Sequence, residues 1–102
     1  MLTFTSGITK NGTWELFLDG FEHWEDFDRV LDELIMMGCQ LTHRGEDVFA
    51  RTARLVYDQQ IFELIFHEDV GLYVCGLPPR TEAADQQLHG LVEGAMQAAQ
   101  QR

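Results

Sequence analysis

Residues 51 to 77 read RTARLVYDQQIFELIFHEDVGLYVCGL, and this stretch decides the fold. Three runs within it, 53–57, 61–66 and 72–75, are rich in β-branched and aromatic residues, and turn-forming residues separate them. Runs of this composition fit a pleated and partly buried surface. The stretch therefore predicts three consecutive strands, and the remainder of the chain has to cover the sheet that they form.

The first turn of this stretch sets the pairing of two strands. A two-residue turn at 58–59 places Leu55 opposite Phe62 on one side of the sheet. On the other side the same turn places Arg54 opposite Glu63, a cross-strand pair of opposite charge. The same register thus joins apolar residues on one side of the sheet and opposite charges on the other, which supports it.

The second turn, at 69–71, has glycine as its third residue and pairs Phe66 with Val74. Because successive side chains of a strand point to opposite sides, the two turns divide the stretch into an inward and an outward set. The inward set, which should meet the helices, is Leu55, Phe62, Leu64, Phe66, Leu72 and Val74.

The outward set is too apolar for a sheet face left wholly in water. Alternation along the N-terminal strands places Phe17 on the same face, and Cys75 also points outward. We expect this face to bind a protein partner or a second copy of the chain. Its candidate binding residues are Phe17, Val56, Ile61, Ile65 and Tyr73.

The N-terminal segment predicts a β-hairpin. A two-residue turn would place Ile8 opposite Glu15. A three-residue loop at 10–12 pairs Ile8 with Trp14 instead and puts its glycine at the left-handed position that closes such loops. We expect the three-residue loop, because a slip of one residue would send a whole apolar set into water.

Residues 22–37 change to a helical period, and Gly38 is well placed as the left-handed residue after the last turn. The apolar stripe of this helix is Trp24, Phe27, Val30, Leu31, Leu34 and Ile35. The opposite side is acidic. It is explained by a solubilising surface or, alternatively, by an acidic decoy for a basic partner. The decoy would use Glu22, Glu25, Asp26, Asp32 and Glu33.

Two further strands and a second helix complete the pattern. Residues 39–44 form a short strand candidate, and residues 48–57 form a long one in which we expect an irregularity or a bulge near Ala50. Prolines end the sheet, and Thr81 is a good N-cap for the second helix. The apolar stripe of that helix is Leu88, Leu91, Val92, Ala95, Met96 and Ala99.

These elements predict a single α+β domain over residues 1–102. Its order is β-β-α-β-β-β-β-α, and it has two layers, an antiparallel sheet of five to six strands with both helices on one face. The core should form where the inward strand residues meet the two helical stripes.

The chain has 17 acidic and 7 basic residues and a formal net charge of −10. This charge disfavours nucleic acid and anionic membrane surfaces as partners, since both are bound through Lys and Arg. The sequence has no apolar run long enough to span a membrane and no signal-peptide pattern at its first residues. Because Cys39 and Cys75 lack metal-type spacing, we expect free thiols in a reducing cytoplasm.

Motifs that carry catalysis are absent from the sequence. The four histidines and two cysteines lack the spacing of metal sites, so no metal or other cofactor is expected. The cluster of His67, Glu68 and Asp69 is the best candidate for acid-base chemistry, although a solvated turn explains the same residues. No residue is therefore assigned a catalytic role, and a small enzyme that uses this cluster stays an alternative.

In element order, acidity and size the chain resembles small bacterial proteins of unknown function and the secretion chaperones, which are dimeric α+β adaptors. No motif is specific to either group, so the resemblance assigns no residue a role. We expect a non-enzymatic cytoplasmic protein-binding or adaptor module that works through the apolar outward face, with a homodimer as one form of it.

Overall fold

The computed structural model describes residues 3–8, 14–21, 23–78 and 81–101. The elements follow the predicted order of two strands, a helix, four strands and a helix. They are β1 (Thr3–Ile8), β2 (Trp14–Asp19), α1 (Trp24–Met36), β3 (Gln40–Glu46), β4 (Ala50–Tyr57), β5 (Gln60–His67), β6 (Gly71–Gly76) and α2 (Glu82–Gln100).

The strands form one six-stranded antiparallel sheet in the order β1-β2-β6-β5-β4-β3. One side of the sheet packs with both helices into a single hydrophobic core. The α+β class, the two layers and the placement of both helices on one face are therefore confirmed. The pairing of β2 with β6 adds the N-terminal hairpin to one side of the sheet, with β1 as an edge strand, and chain order alone does not predict it.

The N-terminal hairpin has the predicted register. Ile8 pairs with Trp14, as a three-residue loop requires, and Phe4 pairs with Leu18. The loop itself, including the predicted left-handed Gly12, lies outside the described residues.

The register between β4 and β5 is also confirmed. Leu55 pairs with Phe62, and Arg54 pairs with Glu63 at 3.7 Å between Nη2 and Oε2. The connecting turn places both central residues in the left-handed region, with φ of 49° at Asp58 and 66° at Gln59. This is the backbone of a type I′ hairpin turn, which matches the twist of the two strands.

The predicted pairing of Phe66 with Val74 is wrong by two residues. Phe66 pairs with Leu72, because the turn begins earlier than expected: the N–H of Val70 donates to the carbonyl of His67 at 3.1 Å. Since a shift of two residues leaves every side chain on its original side, the inward set is unaffected. All six of its members are buried: Leu55, Phe62, Leu64, Phe66, Leu72 and Val74.

Of the irregularity or bulge predicted near Ala50, the bulge is wrong, because β4 pairs regularly with β5 from Ala50 to Tyr57. The register shift lies on the neighbouring strand, between Leu41 and His43, where the hydroxyl of Thr42 donates to the carbonyl of Arg54 at 3.2 Å. The strand β4 begins only at Ala50, because the carboxylate of Asp47 accepts the N–H groups of residues 49 and 50 at 2.8 Å each and so extends the turn. An Asp that binds the backbone just after itself is typical of turns.

The helices end and pack largely as their sequences predict. Gly38 follows α1 with φ of +105°, as expected. The hydroxyl of Thr81 accepts the N–H of Ala84 at 3.1 Å and caps α2, and the six residues of its predicted stripe are buried. In the stripe of α1, Trp24 is only partly buried, and Ile35 is 41% exposed because it lies in the last turn. No helix in the described parts of the chain is long and apolar enough to cross a membrane.

Candidate functional site

The candidate site is the outer sheet face, which we define as the side of the sheet that carries no helix. All five residues predicted for this face lie on it, and none of them is buried: Phe17, Val56, Ile61, Ile65 and Tyr73. Ile61 is 45% exposed, and the others are half-buried among their neighbours. No helix of the described chain covers this side, which is the arrangement that the strand phasing predicted.

The first of three rows across this face is the aromatic row, formed by Phe17, Tyr73 and Ile65. Strand pairing places Phe17 beside Tyr73 and Tyr73 beside Ile65, on β2, β6 and β5 in turn. The rings of Phe17 and Tyr73 stack with their centroids 5.3 Å apart. Offset aromatic pairs of this kind are rigid and carry a large apolar area, which suits a binding surface.

The second row is the charged row, formed by Glu15, Cys75, Glu63 and Arg54. These residues pair in that order across β2, β6, β5 and β4. The row is polarised at its ends, because the Glu15 carboxylate lies on β2 at one end and the Arg54 guanidinium lies on β4 at the other, with Glu63 next to it on β5. Glu63 has Arg54 as its ion-pair partner, whereas none of the described cations pairs with Glu15.

The third row is the aliphatic row, in which Ile61 of β5 pairs with Val56 of β4. The charged row therefore runs between two apolar rows. Apolar residues combined with charges at defined positions are also found in specific protein interfaces.

The pKa of Tyr73, in the aromatic row, is affected by residues of the charged row. Its pKa is raised above the ordinary value, first because the side chain is partly desolvated and then because Glu15, Cys75 and Glu63 lie near it and oppose a phenolate. The phenol is therefore kept neutral, so Tyr73 presents an apolar ring with a hydrogen-bonding hydroxyl rather than a charge.

The acidic side of α1 differs from the prediction at two positions. Asp26 and Glu33 were expected on an exposed surface, but they are only 7% and 5% exposed. They lie one heptad apart on the flank that also carries Met37, whose side chain packs against Gly94 of α2. The second helix therefore lies near the Met37 end of this flank, which the period of α1 alone does not reveal.

Asp26 and the remaining acids of α1 have separate roles. Asp26 accepts the backbone N–H of His23 at 3.1 Å and so caps the start of α1. Glu25 and Asp32 are exposed, and Glu22 lies outside the described residues. Only two exposed carboxylates of the five proposed for a decoy are thus found in the described chain.

An arginine cluster that sequence reasoning missed joins α1 to the sheet. Asp28 binds Arg44 at 2.7 Å and Arg51 at 3.3 Å, and Arg51 also pairs with Glu46 at 3.1 Å. The guanidinium of Arg51 lies 4.9 Å from the ring centroid of Trp24. These contacts are made on the helix side of the sheet, and their function is to dock α1. A cleft of about 400 Å³ borders them.

The cluster of His67, Glu68 and Asp69 forms a turn and not a paired acid-base site. The Nδ1 atom of His67 accepts the backbone N–H of Asp69 at 3.1 Å. No hydrogen bond or ion pair joins His67 to either carboxylate in the described chain. Among the described residues, only 68–71 line a shallow cleft of about 290 Å³, so no described side chain from another element faces the turn there.

An apolar tip, which the sequence reasoning also missed, lies at the end of the sheet near this turn. Val48, Phe49 and Val70 are 80%, 59% and 54% exposed. The N–H of Glu68 donates to the carbonyl of Phe49 at 2.9 Å and joins the two turns that carry them. These residues are scattered at turn ends and do not form a continuous face with the three rows.

Metal ligands do not gather within the described parts of the chain, where no group of three or more His, Cys, Asp or Glu side chains is arranged to hold an ion. Comparison of the chain with protein-family models, curated proteins and solved structures finds no match. The function is therefore argued from the geometry of the outer sheet face alone.

Proposed function

We propose that the protein is a non-enzymatic protein-binding module that self-associates through its outer sheet face into a homodimer. The observation that carries this proposal is the aromatic row, which lies uncovered across the middle of the sheet. Burial of apolar area is worth roughly 25 cal/mol per Å². Apolar side chains in contact across three neighbouring strands are seldom left in water by a monomer.

The proposed compartment is the cytoplasm. Cys39 is buried, Cys75 is half-buried on the outer sheet face, and neither forms a disulfide. Two cysteines that do not form a disulfide fit a reducing environment. The net charge of −10 fits a protein partner better than nucleic acid or an anionic membrane.

The two alternative functions have less support. The decoy hypothesis needs a dense acidic surface on α1, but Asp26 and Glu33 are buried and Asp28 is engaged by two arginines. The enzyme hypothesis needs a cleft beside His67 with a second polar element facing it, and the turn has none among the described residues.

Sedimentation velocity at micromolar concentration tests the proposal with two matched variants. Ile65→Lys places a charge in the aromatic row, and Ile35→Lys places the same charge at an exposed isoleucine of α1. We expect the wild type and Ile35→Lys to sediment as dimers and Ile65→Lys as a monomer. A wild type that stays monomeric, or a dimer that tolerates Ile65→Lys, would refute the proposal.

A further inference from the structure

We infer that the second copy binds with its two-fold axis parallel to the strands and between β6 and β5, so that Glu15 of each chain pairs with Arg54 of the other. This inference rests on the proposed function and specifies the geometry of that dimer. It identifies Glu15 and Arg54 as the residues that determine its register.

The size of the face favours an axis at the centre of the sheet. With about 4.8 Å between strands, six strands span roughly 30 Å. A standard interface buries about 800 Å² on each partner, which a face of this size provides only when the two sheets overlap fully. In the order β1-β2-β6-β5-β4-β3 the central line runs between β6 and β5. An axis on that line superimposes the two sheets completely.

This axis also matches the apolar side chains. It places β6 over β5 of the second copy, so Tyr73 lies opposite Ile65 of the partner subunit and the contact is repeated by symmetry. The two sheets then stack with their strands within about 30° of each other, as packed sheets do.

The charged row is complementary to itself about the same axis. Here β2 lies over β4 of the second copy, so Glu15 faces Arg54 of the partner subunit. Glu15 has no ion pair among the described residues, whereas the Arg54 side chain is 49% exposed and can bind a second carboxylate beside Glu63. Both are long side chains that can meet between sheets about 10 Å apart.

Three other positions of the axis bring like charges together. An axis along β6 places Glu15 opposite Glu63 of the partner subunit, and an axis along β5 places the two copies of Glu63 opposite each other. An axis perpendicular to the strands, along the charged row, places Glu15 over its own copy. Like charges that face each other at close range oppose association, so the electrostatics disfavour these three axes.

A charge-swap experiment tests this geometry. Glu15→Lys alone leaves an ammonium group facing the guanidinium of Arg54, and Arg54→Glu alone leaves two carboxylates facing each other. We therefore expect each variant to dimerise at least about tenfold more weakly than the wild type. In a heterodimer of the two variants, one of the two contacts keeps its native charges and the other has its charges exchanged. Both contacts therefore again join opposite charges. We expect the mixture to form a heterodimer with nearly wild-type affinity.

The control is Glu25→Lys, which makes the same charge change at an exposed position of α1 and should leave the dimer intact. Circular dichroism of each variant checks that it is folded. If the wild type dimerises and Ile65→Lys abolishes the dimer, but the mixture does no better than its components, the inferred axis is wrong and the proposed function stands. If the wild type is a monomer, the proposed function fails first.

Discussion

At the scale of single residues, Cys39 shows how burial controls ionisation. Its side chain is 5% exposed, just after the end of α1, and this burial raises its pKa from 9.0 to about 11. A thiol with a raised pKa contributes stability that is fully present below the unfolded pKa and is lost as pH rises towards the folded pKa. The relevant window therefore lies between pH 9.0 and about 11.

We predict that, at alkaline pH, the free energy of unfolding of Cys39→Ala depends less on pH than that of the wild type. The free energy of unfolding of the wild type should fall by up to about 2 kcal/mol more than that of the variant across this window, because only the wild type has a buried thiol to ionise. Tyr73, which also has a raised pKa, is present in both proteins and cancels in the comparison. Urea titrations at several pH values measure the difference, and parallel profiles would contradict it.

Residue identity alone could not predict the burial of Asp26 and Glu33. Both occupy the side of α1 that its hydrophobic period assigns to solvent, and the sequence gives no sign that α2 lies against that flank. The contact of Met37 with Gly94 shows why the second helix comes so close, since glycine leaves room for the methionine side chain. Such burial depends on contacts from outside α1, which a pattern within one helix does not contain.

At the scale of elements, the turn between β4 and β5 is strained by its residues. Asp58 and Gln59 both have positive φ, a conformation that side chains with a Cβ seldom adopt outside Asn and Asp. Asp58 is partly compensated, because its carboxylate accepts a hydrogen bond from Gln87 of α2 at 3.0 Å. Gln59 is exposed, and no such contact holds its side chain in the described structure.

We predict that Gln59→Gly stabilises the protein by about 0.5 to 1 kcal/mol, because glycine adopts φ of 66° without a steric penalty. The matched control is Gln86→Gly, an exposed position within α2, where the same replacement should cost about 1 kcal/mol. Thermal and urea unfolding measure the change in stability of each variant, which should be an increase for Gln59→Gly and a decrease for Gln86→Gly. Destabilisation by both replacements would show that the turn is not strained.

The side of the sheet that each strand residue faces was the most predictable feature at this scale. The pairs Ile8 with Trp14 and Leu55 with Phe62 follow from apolar side chains that must share a side. The error at Phe66 had no consequence for the faces, because it was a shift by an even number of residues. The bulge was misplaced because it depends on one hydroxyl of Thr42 and its acceptor on the neighbouring strand, which periodicity does not encode.

At the scale of the whole molecule, the charge is distributed so that two copies can approach. The charged row contains only two of the 17 acidic residues, and one of these is already paired with Arg54. Most of the negative charge therefore lies away from the outer sheet face. Electrostatic repulsion between two copies therefore acts mainly between surfaces that lie away from the outer sheet face, where salt screens it.

The sequence predicted an uncovered apolar face but not its electrostatic pattern. Sequence reasoning paired Arg54 with Glu63, since these strands are consecutive. It could not place Glu15 beside Cys75, because the pairing of β2 with β6 joins segments that are far apart in the chain. The polarised charged row exists only after this non-local pairing, and it is the feature that selects the register of the inferred dimer.

The outer sheet face itself can be probed most directly through Cys75, which lies in the charged row. In a Cys39→Ala background Cys75 is the only thiol, and its alkylation by iodoacetamide reports the accessibility of the face. Between about 1 µM and about 1 mM protein, a range that covers most weak and moderate dimers, we predict that the alkylation rate falls as the dimer forms. With Ile65→Lys added, the rate should not depend on protein concentration. If the protein that keeps Ile65 is alkylated at the same rate at both ends of the range, the claim that this face binds a second copy is contradicted.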